Sequence, residues 1–386
     1  MTAHIRPTSN GEALATVRKI LTVVLLLFIF LLGVKGIGDG FKLLGSDLLQ
    51  AFFSATENPF IGLMVGILAT TLVQSSSVTT AMVVGLVAAP ENPLPIANAI
   101  PMIMGANIGT TVTNTAVSLA YMARRDEFRR AFAVATCHDF FNFMTVGILL
   151  PLELMTGYLR GTAAYLAHML AGSGGYKFDS PLKSGLKAAF QPVIDLSKMS
   201  FEAEQAQGVV IILISGMLIV GALFLLVRVM RAAMQSRVEA YITQFLGRSA
   251  VLSILVGVIA TVMVQSSSIT TSLLVPLAGA GVITLAQAFP LTLGANIGTT
   301  ITAMLASLAA TGKNAEGGVI IALVHLLFNL TGIAMIYPIA AVRDIPLAGA
   351  RWFADFAVRS RKWALVYVLA LFYGVPACFA FLNRYL

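Results

Sequence analysis

Apolar stretches of three lengths alternate with short charged loops along this chain, and each length predicts a different element. Ala131 to about Leu152, Gly208 to about Val227, Gly317 to Val342 and Trp363 to Leu382 reach the roughly 20 residues that cross a bilayer as a helix. Ile20 to Val34 is shorter, 15 residues, and is flanked by Arg18, Lys19 and Lys35. It reads as a first membrane helix whose basic ends snorkel to the interface. No small-residue cleavage site follows it, as one would in a secretory signal.

The third length is intermediate. No charged residue occurs between Glu57 and Glu91, and Gln74-Ser-Ser-Ser77 lies near the middle of that 33-residue interval. Two crossings need about 40 residues and a turn, and one needs about 20, so the interval predicts a re-entrant helical hairpin. Each arm of about 15 residues would reach about 22 Å, placing the polar tip inside the membrane. Non-helical backbone is tolerated there when it is buried in protein or lines a wet cavity.

The same signature returns. Val73 to Thr80 recurs as Val264 to Thr271, with Ile269 in place of Val78, and Gln265 follows Gln74 by 191 residues. Gly105 to Thr111, Gly-Ala-Asn-Ile-Gly-Thr-Thr, recurs unchanged as Gly294 to Thr300, and His138, Phe141, Asn142 and Pro151 recur as His325, Phe328, Asn329 and Pro338. Residues 249 to 312 carry no charge and hold the second hairpin and its partner helix. Duplication that keeps polar residues in register inside apolar segments points to a site. Two glycines around Asn107, and two around Asn296, predict a discontinuous transmembrane helix in each copy, with exposed backbone groups able to ligate an ion.

Composition settles the class. Of 386 residues 58% are hydrophobic and 11% charged, against about 25% charged in soluble domains, so this is a polytopic membrane protein with the lipid bilayer as partner. The net charge of +8 is not a nucleic-acid footprint, because the basic residues fall in short loops beside apolar runs. Cys137 and Cys378 form neither a disulfide framework nor a zinc spacing. With the N-terminus inside, Arg124 to Arg130, the arginines from 228 to 248 and Arg343 to Lys362 all fall inside, while Lys313 and the 153–207 connector fall outside. Three spans separate the hairpins, so the second copy is inverted relative to the first.

What the polar residues offer is neutral. The serines of Ser75 to Ser77 and Ser266 to Ser268 cannot all share one helix face, and they present hydroxyl and backbone groups to an oxyanion or a hard cation. Neither hairpin nor partner helix contains lysine or arginine, so any bound anion relies on dipoles, hydrogen bonds and co-bound cations. His138 with Asn142, and His325 with Asn329, share a helix face at i, i+4 and read as inter-helix hydrogen bonders, with a proton-linked role as the alternative. Asp139 is an acidic residue within a span whose counterpart is Leu326. It is a functional candidate or an ion-pair partner of Arg129 or Arg130. A serine hydrolase is disfavoured, since no Gly-x-Ser-x-Gly elbow accompanies the tips, and an enzyme is not expected.

The paired Gln-Ser-Ser-Ser tips, Gly105 to Thr115 and Phe128 to Asn142 together resemble the type II sodium-dependent phosphate cotransporters, over roughly residues 45 to 155 and 245 to 340. The resemblance implies sodium-driven uptake of inorganic phosphate by alternating access in a plasma (inner) membrane, with sodium as coupling ion and no cofactor. It implies that the two tips meet at the centre and that Ser75, Ser76, Ser77, Ser266, Ser267 and Ser268 bind phosphate. It also implies that Gln74, Asn107, Thr110, Thr111, Gln265, Ser266, Asn296, Thr299 and Thr300 ligate sodium. Animal members carry a glycosylated, disulfide-bearing loop; residues 153 to 207 hold no cysteine and no acceptor sequon, so a compact bacterial-type member is expected. The nearest rivals are a symporter of sulfate or a dicarboxylate, and an ion channel.

The expected fold is therefore all-α and polytopic, with two inverted-topology repeats, each with a re-entrant hairpin and a discontinuous helix. Residues 1–44 form a tail and first helix, 45–155 repeat 1, and 156–207 an extracellular connector. Residues 208–244 form a linking span and cytoplasmic loop, 245–340 the inverted repeat 2, and 341–386 an amphipathic stretch and last helix.

Overall fold

A computed structural model describes residues 10–44, 46–170, 181–245, 249–310 and 313–382. The described residues are helical and contain no strand. The glycine-rich part of the connector at Gly172 to Gly175, most of the N-terminal tail, and Arg248 lie outside them. Among the described residues six helices are long and apolar enough to cross a membrane: Val17–Lys42, Arg125–Thr156, Glu204–Leu226, Leu285–Ser307, Ala315–Ile336 and Lys362–Phe379. The chain is a multi-pass, all-α membrane protein.

The first helix, α1, runs Asn10–Lys42, far beyond the 15-residue apolar run. Its extra turns are stabilised by packing on α10 (Glu204–Phe245). Glycines let the two backbones touch: a Cβ at Gly208 would lie 2.7 Å from Gly40 O, and one at Gly33 would lie 2.8 Å from Ser215 O. Between them come α2 (Ser46–Glu57), α3 (Pro59–Val73), α4 (Ser76–Val87), α5 (Ile96–Gly109), α6 (Val112–Leu119), α7 (Arg125–Thr156), α8 (Tyr158–Leu170) and α9 (Pro181–Ser200). The connector thus contains two helices, and α8 buries Leu159, Ala163 and Ala167 and packs on α15 (Ala315–Ile336).

Short apolar helices flank both Gln-Ser-Ser-Ser signatures. In the first copy α3 starts at Asn58, whose side chain accepts from Phe60 N with Pro59 behind it, and α4 follows after Gln74-Ser75. In the second, α11 (Ala250–Val264) starts at Ser249, capping Leu252 N at 3.1 Å. It is followed by α12 (Ser267–Ser272) and α13 (Leu274–Gly279). The contacts recur in matching order. α3 packs on α5 as α11 packs on α14 (Leu285–Ser307), while α4 reaches α14 and α15, and α12 and α13 reach α6 and α7. Each second arm is thereby wedged into the other copy.

One expectation is corrected. The second copy's partner helix is not discontinuous, because α14 is unbroken from Leu285 to Ser307. In the first copy the interruption between α5 and α6 is only a tightened turn: Thr110 and Thr111 keep right-handed helical angles, and Thr111 N bonds to Ile108 O at 3.2 Å. The glycines serve packing instead. A Cβ at Gly105 would stand 2.0 Å from Leu63 O, and one at Gly294 would stand 2.0 Å from Ile254 O; Gly66 and Gly257 return the contact against Met102 O and Leu291 O at 2.1 and 2.2 Å. Small residues on both faces bring α3 and α5, and α11 and α14, into backbone contact.

The chain closes with α16 (Ala340–Arg359), α17 (Lys362–Leu369), a π-helical turn at Ala370–Gly374 and α18 (Val375–Leu382). α16 buries Leu347, Ala350, Phe353, Ala354 and Ala357 and packs along α7, as its amphipathic pattern requires.

Candidate functional site

The two tips share one backbone. Gln74 and Gln265 both sit at φ 56°, ψ 28°, and Ser75 and Ser266 follow at φ −156° with ψ 109° and 112°. A left-handed glutamine is costly where glycine is free, yet both copies keep it. Each glutamine Nε2 folds back to donate to a carbonyl of its own helix end, Thr71 O or Val262 O, which satisfies an acceptor the helix leaves open.

The next residue starts a new helix. Ser75 Oγ accepts from Val78 N at 3.4 Å, and Ser266 Oγ accepts from Ile269 N at 3.3 Å. The first-turn N–H groups of Ser76, Ser77, Ser267 and Ser268 have no intrahelical acceptor. Among the described residues their hydroxyls make no intramolecular hydrogen bond either, although Ser76, Ser77 and Ser267 are at most 5% exposed. Each tip therefore presents a cluster of donors at the positive end of a helix. No hydrogen bond joins one tip to the other among the described residues.

The glutamine oxygens face the partner helices. Gln74 Oε1 accepts from Thr113 Oγ1 at 3.2 Å, and Gln265 Oε1 accepts from Thr302 Oγ1 at 3.4 Å. Thr113 and Thr302 are equivalent positions of the duplication, and neither was among the expected ligands. Their signal was present in the 189-residue offset, two positions past the Gly-Ala-Asn-Ile-Gly-Thr-Thr identity. Thr110, Thr111, Thr299 and Thr300 each donate to a backbone carbonyl of their own helix at 2.7 to 3.1 Å. Their oxygen lone pairs remain open to a cation.

Asn107 and Asn296 are placed deeper, in a network that crosses between the copies. His138 Nε2 lies 2.7 Å from Asn296 Oδ1, Asn296 Nδ2 donates to Asn142 Oδ1 at 3.0 Å, and Asn142 Nδ2 donates to Asn107 O at 2.8 Å. Asn329 Nδ2 donates to Asn107 Oδ1 at 3.2 Å and to His325 O at 3.0 Å. All are buried, and His138, Asn142 and Asn329 join helices, whereas His325 offers only its backbone carbonyl and its Nδ1 has no partner among the described residues. Both asparagines expected to ligate sodium have their side chains engaged by protein.

Asp139 is fully buried and is not paired with arginine. It accepts from Tyr367 Oη at 2.9 Å and from Thr115 Oγ1 at 3.4 Å. Arg129 pairs with Asp355, and Arg130 donates to Ala278 O and Gly279 O, because both lie a turn or more nearer the helix start than Asp139. A further cross-copy tie, also unexpected, is Asn114 Oδ1, which accepts from Thr271 at 2.9 Å and Ser272 at 3.0 Å.

The sequence profile of the Na+/Pi-cotransporter family matches residues 29–170 and 217–346. The chain belongs to the Na+/Pi-cotransporter family. Sodium-dependent phosphate transport protein 2B of Homo sapiens is 31% identical over 95% of the chain and 66% of its own length, and that of Bos taurus is 33% identical over 93% and 64%. Sodium-dependent phosphate transport protein 2A of Rattus norvegicus is 33% identical over 93% of the chain and 67% of its own length. The chain thus spans about two thirds of the curated relatives it matches. No solved structure matches it. Both tips, Thr113, Thr302 and the His-Asn network fall inside the family match, whereas Tyr367 and the exposed Trp352 fall outside it.

Proposed function

We propose that this chain is a sodium-coupled symporter of inorganic phosphate, working by alternating access in the plasma (inner) membrane. The observation that carries the reading is the pair of tips with matching backbone angles: a left-handed glutamine, a capping serine, then two serines whose N–H and hydroxyl groups are unused at a helix start. Such groups suit a tetrahedral oxyanion. The printed names of the relatives, sodium-dependent phosphate transport proteins, favour phosphate over sulfate or a dicarboxylate.

On this reading the duplicated segments 45–155 and 245–340 are inverted repeats, and α3–α4 and α11–α13 are re-entrant hairpins. The 15-residue lengths of α3 and α11 support this. The 156–207 connector faces outside, residues 208–244 link the repeats across the membrane, and 341–386 close the bundle. Phosphate is held by Ser75 to Ser77 and Ser266 to Ser268. Sodium is held by oxygens of Gln74, Gln265 and Ser266 and of Thr110, Thr111, Thr299 and Thr300, with Thr113 and Thr302 orienting the glutamines. Asn107 and Asn296 act through the inter-helix network. A divalent anion in a pocket without basic residues needs compensating cations, which is the physical reason for coupling.

The test is labelled phosphate uptake into proteoliposomes under an inward sodium gradient or with potassium in its place, for the parent and for Ser267→Ala. Uptake that requires sodium and is lost in the variant supports the reading. Uptake equal under both gradients would sink the coupling, and uptake absent under both would remove phosphate as the cargo.

A further inference from the structure

Where α7, α14 and α16 come together, a cavity of about 290 Å³ opens, and its walls include Arg129, Arg130, Ala133, Val134, Ile283 and Arg351. It sits at the membrane boundary, since Arg129 and Arg130 lie near the start of the span Arg125–Thr156, and Leu285, at its edge, starts the span Leu285–Ser307. The chain's two tryptophans mark the same zone. Trp352 is 66% exposed beside Arg351, and Trp363 is 50% exposed at the start of the last span; exposed indoles favour the headgroup level.

The charge is unbalanced. Asp355 neutralises Arg129, while Arg130 is anchored on the carbonyls of Ala278 and Gly279, which neutralise no charge. Arg351 forms no ion pair among the described residues. Arg130 and Arg351, neither of them ion-paired among the described residues, thus face a cavity whose remaining walls are mostly aliphatic, the combination that takes a phosphodiester with acyl chains attached. We propose that this cavity binds the headgroup of an anionic phospholipid. Because Arg130 grips the end of α13, occupancy braces the second arm of the hairpin that carries Ser267.

The experiment is a thermal-unfolding titration of the purified full chain in neutral detergent, without sodium. The probes are dioctanoyl phosphatidylglycerol, dioctanoyl phosphatidylcholine and potassium phosphate, applied to the parent, Arg351→Gln and Arg351→Lys. Phosphatidylglycerol is expected to raise Tm saturably and phosphatidylcholine is not. Arg351→Gln should weaken the apparent affinity about fivefold, the contribution of one basic side chain at an anionic headgroup, and Arg351→Lys should restore most of it. A response equal for both lipids, or unchanged in Arg351→Gln, overturns the proposal. So does an Arg351-dependent response to potassium phosphate at lower concentration than to the lipid, which would make the cavity a soluble-anion site.

Discussion

Tyr367 donates a 2.9 Å hydrogen bond to the buried carboxylate of Asp139, tying the last span to the helix at the centre of the molecule. The ring is also held at its edges, 4.7 Å from Phe353 and 5.9 Å from Phe372 between centroids. Tyr367→Phe keeps that packing and removes one partner of a buried carboxyl group. It should cost about 1–2 kcal/mol, read as a lower Tm in detergent. In an Asp139→Ala background, which removes the acceptor, the same change should cost less; an equal cost in both backgrounds would show that the contact carries no energy.

The contact glycines give a sharper contrast. Gly105→Ala and Gly294→Ala put a methyl 2.0 Å from a backbone oxygen of α3 and α11 respectively, a clash that neither backbone can relieve without parting the helices. Both should lower folded yield severely, each with a loss above about 3 kcal/mol if it folds. Gly147→Ala meets nothing within 4 Å and should be neutral or slightly stabilising through helix propensity. Size-exclusion profiles of the three variants compare them directly.

How much of this was legible follows from what each residue does. The tips were readable because a glutamine and three serines cannot be buried cheaply in an apolar helix, and in both copies the structure breaks between two helices at that signature. The glycines were readable as important but misassigned: glycine serves both to break a helix and to admit a neighbour's backbone, and only the packing of α3 on α5 and α11 on α14 decides between them. Tyr367 was invisible, because a partner 228 residues away from Asp139 leaves no periodic or duplicated trace. Thr113 and Thr302 were in plain register yet overlooked, since a lone threonine in a membrane helix ordinarily bonds its own backbone.

Those threonines carry a prediction of their own. Thr113→Val and Thr302→Val remove the donors facing Gln74 Oε1 and Gln265 Oε1 while preserving shape. If the glutamines ligate sodium, the apparent sodium affinity of uptake should fall about threefold to tenfold, as expected for a lost hydrogen bond of about 1 kcal/mol. Maximal uptake at saturating sodium should change little. A fall in maximal uptake at unchanged sodium affinity would place these hydroxyls outside the ion sites.

Coupling itself can be measured at equilibrium. Sodium should raise phosphate affinity, and phosphate should raise sodium affinity by the same factor, because the two binding free energies share one coupling term. Calorimetric titration of each ion in the presence and absence of the other checks both directions. Phosphate affinity that ignores sodium would leave the anion without its compensating charge and so defeat the electrostatic argument.

The last prediction concerns the network that crosses between the copies. Asn296 of α14 stands between His138, at 2.7 Å, and Asn142, at 3.0 Å, so its amide serves two buried partners one turn apart on α7. Asn296→Ala leaves His138 Nε2 and Asn142 Oδ1 unsatisfied, whereas His138→Phe removes the ring nitrogen and leaves Asn296 Oδ1 without that partner. Each single variant should therefore cost about 1–3 kcal/mol. The double variant should cost less than their sum by about 0.5–3 kcal/mol, since the same interaction is lost only once. Reversible unfolding in mixed micelles gives the three differences. Additive costs would mean that the two side chains are merely neighbours, and that their contact adds nothing to holding α7 against α14.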